Sequence, residues 1–132
     1  MSAAAYLLDT HALLFWDTKT SVSDEFVSFF DKQEQQGNIL VSSISFWEIA
    51  LLVKKKRVEI SDTRHWSNEI LNNTSIRLID PTPSEMIDST RLPDHHKDPF
   101  DRLLIAQARQ RGAILVTKDV VIQQYDVSTF WL

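Results

Sequence analysis

DPFDRLLIAQARQRGAILVTKD, residues 98–119, is the stretch whose reading decides the fold. Asp98 stands at an N-cap, Pro99 at the first helical position and Gly112 just past the last periodic residue, so the segment predicts a helix over Pro99–Arg111. The apolar run Ala113–Val116 follows at once and reads as a strand. A helix feeding directly into a short apolar strand is half of a βαβ crossover.

The same alternation extends outward in both directions. Ala5–Leu8 reads as a short buried strand, followed by a short helix around Ala12–Trp16. Ser23–Gln36 reads as a helix, with Ser23 as cap, Asp24 and Glu25 in the first turn and Gly37 at its end. Ile39–Val41 is a second strand and Phe46–Lys56 the next helix. Thr63–Leu71 is helical, Ile76–Ile79 a strand, and Ser84–Thr90 a helix opened by Pro83. Beyond Val116, a short helix over Val120–Tyr125 and an edge strand over Val127–Phe130 close the chain. The fold class expected is α/β, with right-handed crossovers and a mainly parallel central sheet flanked by helices on both faces. Such sheets bind ligands outside the carboxyl ends of their strands.

With 132 residues, 43% of them apolar, the chain fits one domain able to bury a core. Cysteine is absent, which excludes disulfides, a thiolate nucleophile and Cys-type zinc sites. The two glycines, Gly37 and Gly112, exclude Gly-rich nucleotide loops and the nucleophile elbow. No apolar run approaches the roughly 18 residues of a membrane span, and MSAAAYLLDT lacks the basic start of a signal peptide. A cytoplasmic, membrane-free protein is expected. The net charge of −4 gives nucleic-acid binding no support from composition, and KKKR, residues 54–57, reads as a solvated helix end.

Chemistry is concentrated in Asp9, Glu48, Asp101 and Asp119, each just past a predicted strand or in the first turns of a helix. A parallel sheet gathers those places along one edge. Singly, each acid has a capping explanation: Asp9 before the first helix, Asp101 behind Asp98, Asp119 before Val120, and Glu48 in a literal Ser45-x-x-Glu48 capping box. Two observations weigh against capping alone. Glu48 is the lone charge in FWEIALLV, residues 46–53, where Phe46, Ile49, Ala50 and Val53 form the expected buried stripe and Trp47, Leu51 and Leu52 make the other sides apolar. Asp9 directly follows a strand too apolar to be exposed. Clustered carboxylates repel one another unless a cation joins them, and their hard oxygens suit Mg²⁺ or Mn²⁺. Metal-assisted phosphodiester cleavage, with room for a second ion about 4 Å from the first, is the chemistry to weigh.

The remaining polar residues take supporting places. Thr10 and Thr117 stand beside the acids and are expected to hold carboxylates or waters in place. Adjacent residues do not point naturally at one ion, so His95 and His96 are not read as a metal pair. The 95–97 loop, with His96 and Lys97, and Arg102 are instead candidates for phosphate contact, while His11 is read as packing. Trp16, Trp47, Trp66 and Trp131 are expected in the core.

YLLDTHALLFW (6–16), VSSISFWEIALLVKKKRVEI (41–60), RLPDHHKDPFDRLLIAQARQRGAILVTKD (91–119) and YDVSTFW (125–131) together resemble the PIN-domain family, and within it the VapC-like ribonuclease toxins of type II toxin–antitoxin systems. The matches span most of the chain in the right order. The resemblance implies a single PIN domain over residues 1–132, a three-layer α/β sandwich and a Mg²⁺- or Mn²⁺-dependent endoribonuclease. It also implies an RNA substrate, a cognate antitoxin that blocks the site, and a homodimer. By motif, Asp9 matches the aspartate of the first strand, Glu48 the glutamate of the S-x-W-E-I-A helix, Asp101 the acid preceding R-x-L-I-A-Q-A, and Asp119 the acid after V-T-x. These four would be the catalytic and metal-holding set, with Asp98 left to capping. VKKKRVEI departs from relatives that carry a glycine there, which touches a connection and none of the acids.

Three rivals follow from the same residues. A non-catalytic PIN-like module would bind RNA or protein without cleaving, and a DNA-directed nuclease of the same fold would differ in substrate. A phosphate-accepting signalling domain would need paired acids after the first strand, where Leu8-Asp9 offers one. An apolar surface beside Glu48 is where a partner, antitoxin or second protomer, is expected.

Overall fold

The computed structural model describes residues 4–132. Its centre is a five-stranded sheet of order β3-β2-β1-β4-β5. The strands are β1 (Tyr6–Leu8), β2 (Ile39–Ser42), β3 (Arg77–Ile79), β4 (Ile114–Val116) and β5 (Thr129–Phe130). Every pairing is parallel, so the sheet is more uniform than the mainly parallel one expected. Six α-helices flank it: α1 (Thr10–Thr18), α2 (Asp24–Gln35), α3 (Ser43–Lys54), α4 (Thr63–Asn73), α5 (Pro83–Thr90) and α6 (Pro99–Arg111).

The period-2 geometry of a strand sends consecutive side chains to opposite faces, and the core divides accordingly. Leu8, Ile39, Val41 and Val116 meet Leu13 and Trp16 of α1, Phe26 and Phe30 of α2, Ile49 of α3 and Ile70 of α4. Leu7, Leu40 and Leu115 meet Leu104, Ile105 and Ala108 of α6 on the other face. Because α3 contributes Ile49 to one cluster and Ile44 to the other, it closes the end of the sandwich beside β2. Helix α5 docks on α6, where Arg111 clamps the buried Glu85 carboxylate at 2.8 Å.

Local capping chemistry sets the ends. Asp98 caps α6 by accepting from Phe100 N at 2.8 Å, and Gly112 closes it in the left-handed region at φ 62°, which a glycine adopts without strain. Helix α3 begins earlier than expected, at Ser43, because Ser42 takes the cap. Ser45-x-x-Glu48 therefore lies inside the helix and is not a capping box. The helix expected over Val120–Tyr125 shrinks to a single 3₁₀ turn, Ile122–Gln124. Three consecutive β-branched residues, Val120, Val121 and Ile122, disfavour a longer helix there. The final strand keeps only Thr129–Phe130 of its expected span. Among the described residues no helix is long and apolar enough to cross a membrane.

Strand order fixes where a ligand would go. From β1 the chain moves outward through β2 to β3 on one side, then returns to add β4 and β5 on the other. The carboxyl ends of β1 and β4 thus form the topological switch point of the sheet.

Candidate metal centre

Asp9 occupies that switch point. Leu8 pairs in register with Val116, so Asp9 leaves the sheet beside Thr117, with its own N–H donating to Val116 O at 3.1 Å. Its Oδ1 caps α1 by accepting from Ala12 N at 2.7 Å, so the capping expected of Asp9 and a place in an acidic cluster coexist in one side chain. Only 7% of Asp9 is exposed. Burial above all raises its pKa, with a further push from Asp119, against the hydrogen bonds from Ala12 N–H and the Thr117 hydroxyl.

Thr117, fully buried, works in two directions: its oxygen accepts from Asp119 N at 3.1 Å while its hydroxyl serves Asp9. One side chain thereby ties two acids that are far apart in sequence. Thr10, the first residue of α1, does the same across the other gap. Its Oγ1 donates to Glu48 Oε1 at 2.6 Å and lies 3.2 Å from the buried Ser45 Oγ. Glu48 sits one helical turn after Ser45, and its pKa is raised by burial first, with Asp98 and Asp9 adding to the rise and the Thr10 hydroxyl opposing it.

Asp101 stands in the first turn of α6, behind the Asp98 cap. Its pKa is pushed up from 3.8 to about 8, by burial first and then by Asp98, Glu48, Asp9 and Asp119 in turn. Those neighbours include Glu48, Asp9 and Asp119, so the four scattered carboxylates lie close enough to feel one another's charge, and of the four Asp101 and Asp119 fall with His96 in one group at ligand spacing. Asp119 differs. Burial opposes ionisation there too, but the Val121 N–H and the His96 ring bond its carboxylate and hold its pKa below the usual value.

His96 Nε2 lies 3.0 Å from Asp101 Oδ2 and 3.0 Å from Asp119 Oδ2. Its Nδ1 accepts from Asp98 N at 3.1 Å, so the ring proton belongs on Nε2 and points at the two acids. The Tyr125 hydroxyl fixes this loop by accepting from His96 N at 2.8 Å and donating to Pro93 O at 2.6 Å. Sequence reading gave His96 a place against phosphate and missed its place between the acids, which follows from the Tyr125 latch and has no local signal.

Other expected positions separate from the cluster. Arg102 is not available to phosphate in this arrangement, contrary to expectation. Its guanidinium donates to the carbonyls of Ser89, Leu92, Pro93 and His96 at 2.9–3.1 Å, bracing the loop that carries His96. Lys97 is exposed beside Glu48, in a groove with Lys55 and Arg57. His11 is exposed at the mouth beside Phe15 and Lys118, and is not the packing residue expected. Trp16, Trp66 and Trp131 belong to the core cluster, whereas Trp47 is 62% exposed and Ala50 of the expected buried stripe also faces solvent.

A partly buried group of oxygen ligands, with Asp9, Glu48 and Asp101 pushed toward their protonated forms and Asp119 held below its usual pKa, fits a small hard cation. The cation would restore charge balance, and oxygen donors of this kind suit Mg²⁺ or Mn²⁺. Asp101 and Asp119, with His96, also have the mutual spacing of a metal-holding group.

The PIN-domain family model matches residues 6–128. Over 117 residues the chain is 31% identical to Ribonuclease VapC22 of Mycobacterium tuberculosis (strain ATCC 25618 / H37Rv), covering 86% of this chain and 85% of that protein. Among solved structures, it superposes on VapBC2 from Rickettsia felis bound to a DNA fragment from their promoter with a TM-score of 0.74 and 18% identity, covering 97% of this chain and 99% of the other. FitAcB from Neisseria gonorrhoeae superposes with a TM-score of 0.68 and 17% identity, covering 95% and 96%. At these identities the structural likeness shows the fold.

Proposed function

The chain belongs to the PIN domain family, and from that premise we propose that it is a metal-dependent endoribonuclease, the toxin of a toxin–antitoxin pair. The observation that carries the reading is the gathering of Asp9, Glu48, Asp101 and Asp119 near the switch point, with Asp101 pushed up to about 8 by burial first and then by the neighbouring acids. The 31% identity to a ribonuclease supports the reaction class. Solved relatives described as toxin–antitoxin and VapBC assemblies support an antitoxin partner, which we infer covers the acidic edge.

In this reading Asp9, Asp101 and Asp119 would hold Mg²⁺ or Mn²⁺, and Glu48 would complete the set directly or through water. The bound cation supplies charge neutralisation at the scissile phosphate and a more acidic water. The chain's own residues prepare the rest. Thr10 engages Glu48 Oε1, leaving Oε2 to accept a hydrogen bond from the attacking water. Thr117 stands between Asp9 and Asp119, accepting from the Asp119 backbone N–H and favouring the ionised form of Asp9. Hydrolysis then adds the water oxygen to phosphorus and breaks one P–O bond, with the water proton passing to the departing oxygen. The protein acts on RNA as a homodimer in this proposal, exposed Leu78, Met86 and Ile87 giving a second copy something to cover.

The test is direct. Wild-type protein should cleave single-stranded or structured RNA with Mg²⁺ or Mn²⁺ and stop with chelator, and Asp9→Asn should be inactive. Cleavage that continues in chelator, or in Asp9→Asn, would sink the site. Sedimentation with and without the product of the neighbouring reading frame checks the partner and the dimer.

A further inference from the structure

Trp47 departs most from a chain-internal reading: it is a large aromatic, 62% exposed, beside Glu48 in a mainly apolar stretch of α3. Its ring meets the Phe100 edge at 5.0 Å in a T-shaped contact, which holds the indole while leaving much of its surface open. Phe100 lines a groove together with Glu48, Lys55, Arg57, Lys97 and Asp98. The carboxylates of that groove belong to the acidic edge, and the three cations line the same groove. All three are exposed, and none makes an ion pair or a side-chain hydrogen bond among the described residues. In a protein of net charge −4, three unpaired cations in one groove are a local reversal of sign. Two of them, Lys55 and Arg57, come from the KKKR run that helix solvation alone leaves without a partner.

We propose that this groove is the track for single-stranded RNA, with a base stacked on Trp47 and phosphates along Lys55, Arg57 and Lys97, delivering the strand to Glu48. The proposal rests on the ribonuclease reading and adds where the strand lies. An aromatic face with flanking cations suits any unpaired base, because every base has a π-face and every linkage a charge. A duplex, whose bases are already stacked, gains nothing from Trp47. An acidic protein segment could use the cations but would not need a flat aromatic platform, and it stands as the competing outcome.

The experiment separates binding from cleavage. Anisotropy of a fluorescent single-stranded RNA is followed over a salt series on Asp101→Asn protein in Ca²⁺, so that no strand is cut. Against this background, Trp47→Ala should weaken binding about 5- to 150-fold with the salt dependence unchanged, and Trp47→Phe should restore part of it. Replacing Lys55, Arg57 and Lys97 by Gln should flatten the log–log salt slope by about 0.7 per cation. These side chains are exposed, so melting curves should match the parent. RNA binding that is absent, or that survives both sets of changes unaltered, overturns the track; loss of an acidic partner's binding with RNA binding intact assigns the groove to protein instead. Wild-type cleavage in Mn²⁺ is scored separately. If it occurs while the groove variants bind normally, only the track fails. If it does not occur while the groove variants lose RNA, only the nuclease reading fails.

Discussion

His96 Nε2 lies 3.0 Å from Asp119 Oδ2, and the same nitrogen is equally close to Asp101 Oδ2. The imidazole N–H therefore stands between two carboxylates assigned to a cation. It cannot ligate through Nε2 in this pose, because Asp98 N already donates to Nδ1 and the proton must sit on Nε2. His96 accordingly contributes an N–H donor to the two carboxylates and not a ligand nitrogen. His96→Ala should leave Mn²⁺ affinity, measured by calorimetry, within about threefold of wild type or tighter. A loss on the order of tenfold or more, the scale of a ligand or its close support, would make His96 a ligand.

On the proposed reading, Asp101 makes metal binding pH-dependent. With its pKa at about 8, the metal-free protein holds a proton there that a bound cation must displace. Mn²⁺ affinity should climb as pH rises toward about 8, and calorimetry in buffers of different ionisation enthalpy should detect proton release. Stability runs the other way. The folded chain keeps this proton above 3.8, where the unfolded chain has released it. The stabilisation is complete below 3.8 and is lost as pH rises through about 8. The metal-free melting temperature should fall across that window, and saturating Mn²⁺ should offset the fall. A flat metal-free profile would contradict the assigned environment of Asp101.

Thr10 tests the positioning of Glu48. Thr10→Val removes the 2.6 Å donor while keeping the shape of the side chain, and Thr10→Ser restores it. Cleavage by Thr10→Val should fall roughly 10- to 100-fold, mainly in kcat, with Thr10→Ser close to wild type. Equal losses in both variants would mean that packing, not the hydroxyl, matters.

Arg102 should behave as a brace. Its donors reach four carbonyls, so Arg102→Ala leaves mostly part-buried acceptors without their partner and should cost about 1–3 kcal/mol in urea unfolding. Arg102→Lys should not rescue it, since one ammonium cannot replace the planar fork. Unchanged stability with a weakened KM for RNA would return Arg102 to phosphate contact.

Legibility in the sequence followed the range of the force involved. Strands β1, β2 and β4 read directly from unbroken apolar runs, and the ends of α6 from the Asp98-Pro99 start and the Gly112 stop, because both signals are local. Helix α3 was misplaced at its start because Ser42, Ser43 and Ser45 can all cap, and only the β2 terminus selects among them. The four acids were legible through the topology rule that collects strand ends. The roles of Arg102 and His96 are not, because they depend on the loop that carries His96, which Tyr125 latches from beyond β4. Trp47 was misread as core since helical periodicity marks an apolar face without saying whether this chain covers it.

The carboxylates at the β1–β4 switch point are proposed to form one metal-dependent hydrolytic centre. Its most direct test is Asp101→Asn, which removes the most perturbed acid in nearly the same volume. Single-turnover cleavage of RNA in Mn²⁺ should fall at least about 100-fold, in keeping with loss of a group acting at the reacting phosphate. A rate within about twofold of wild type for Asp101→Asn would contradict the account.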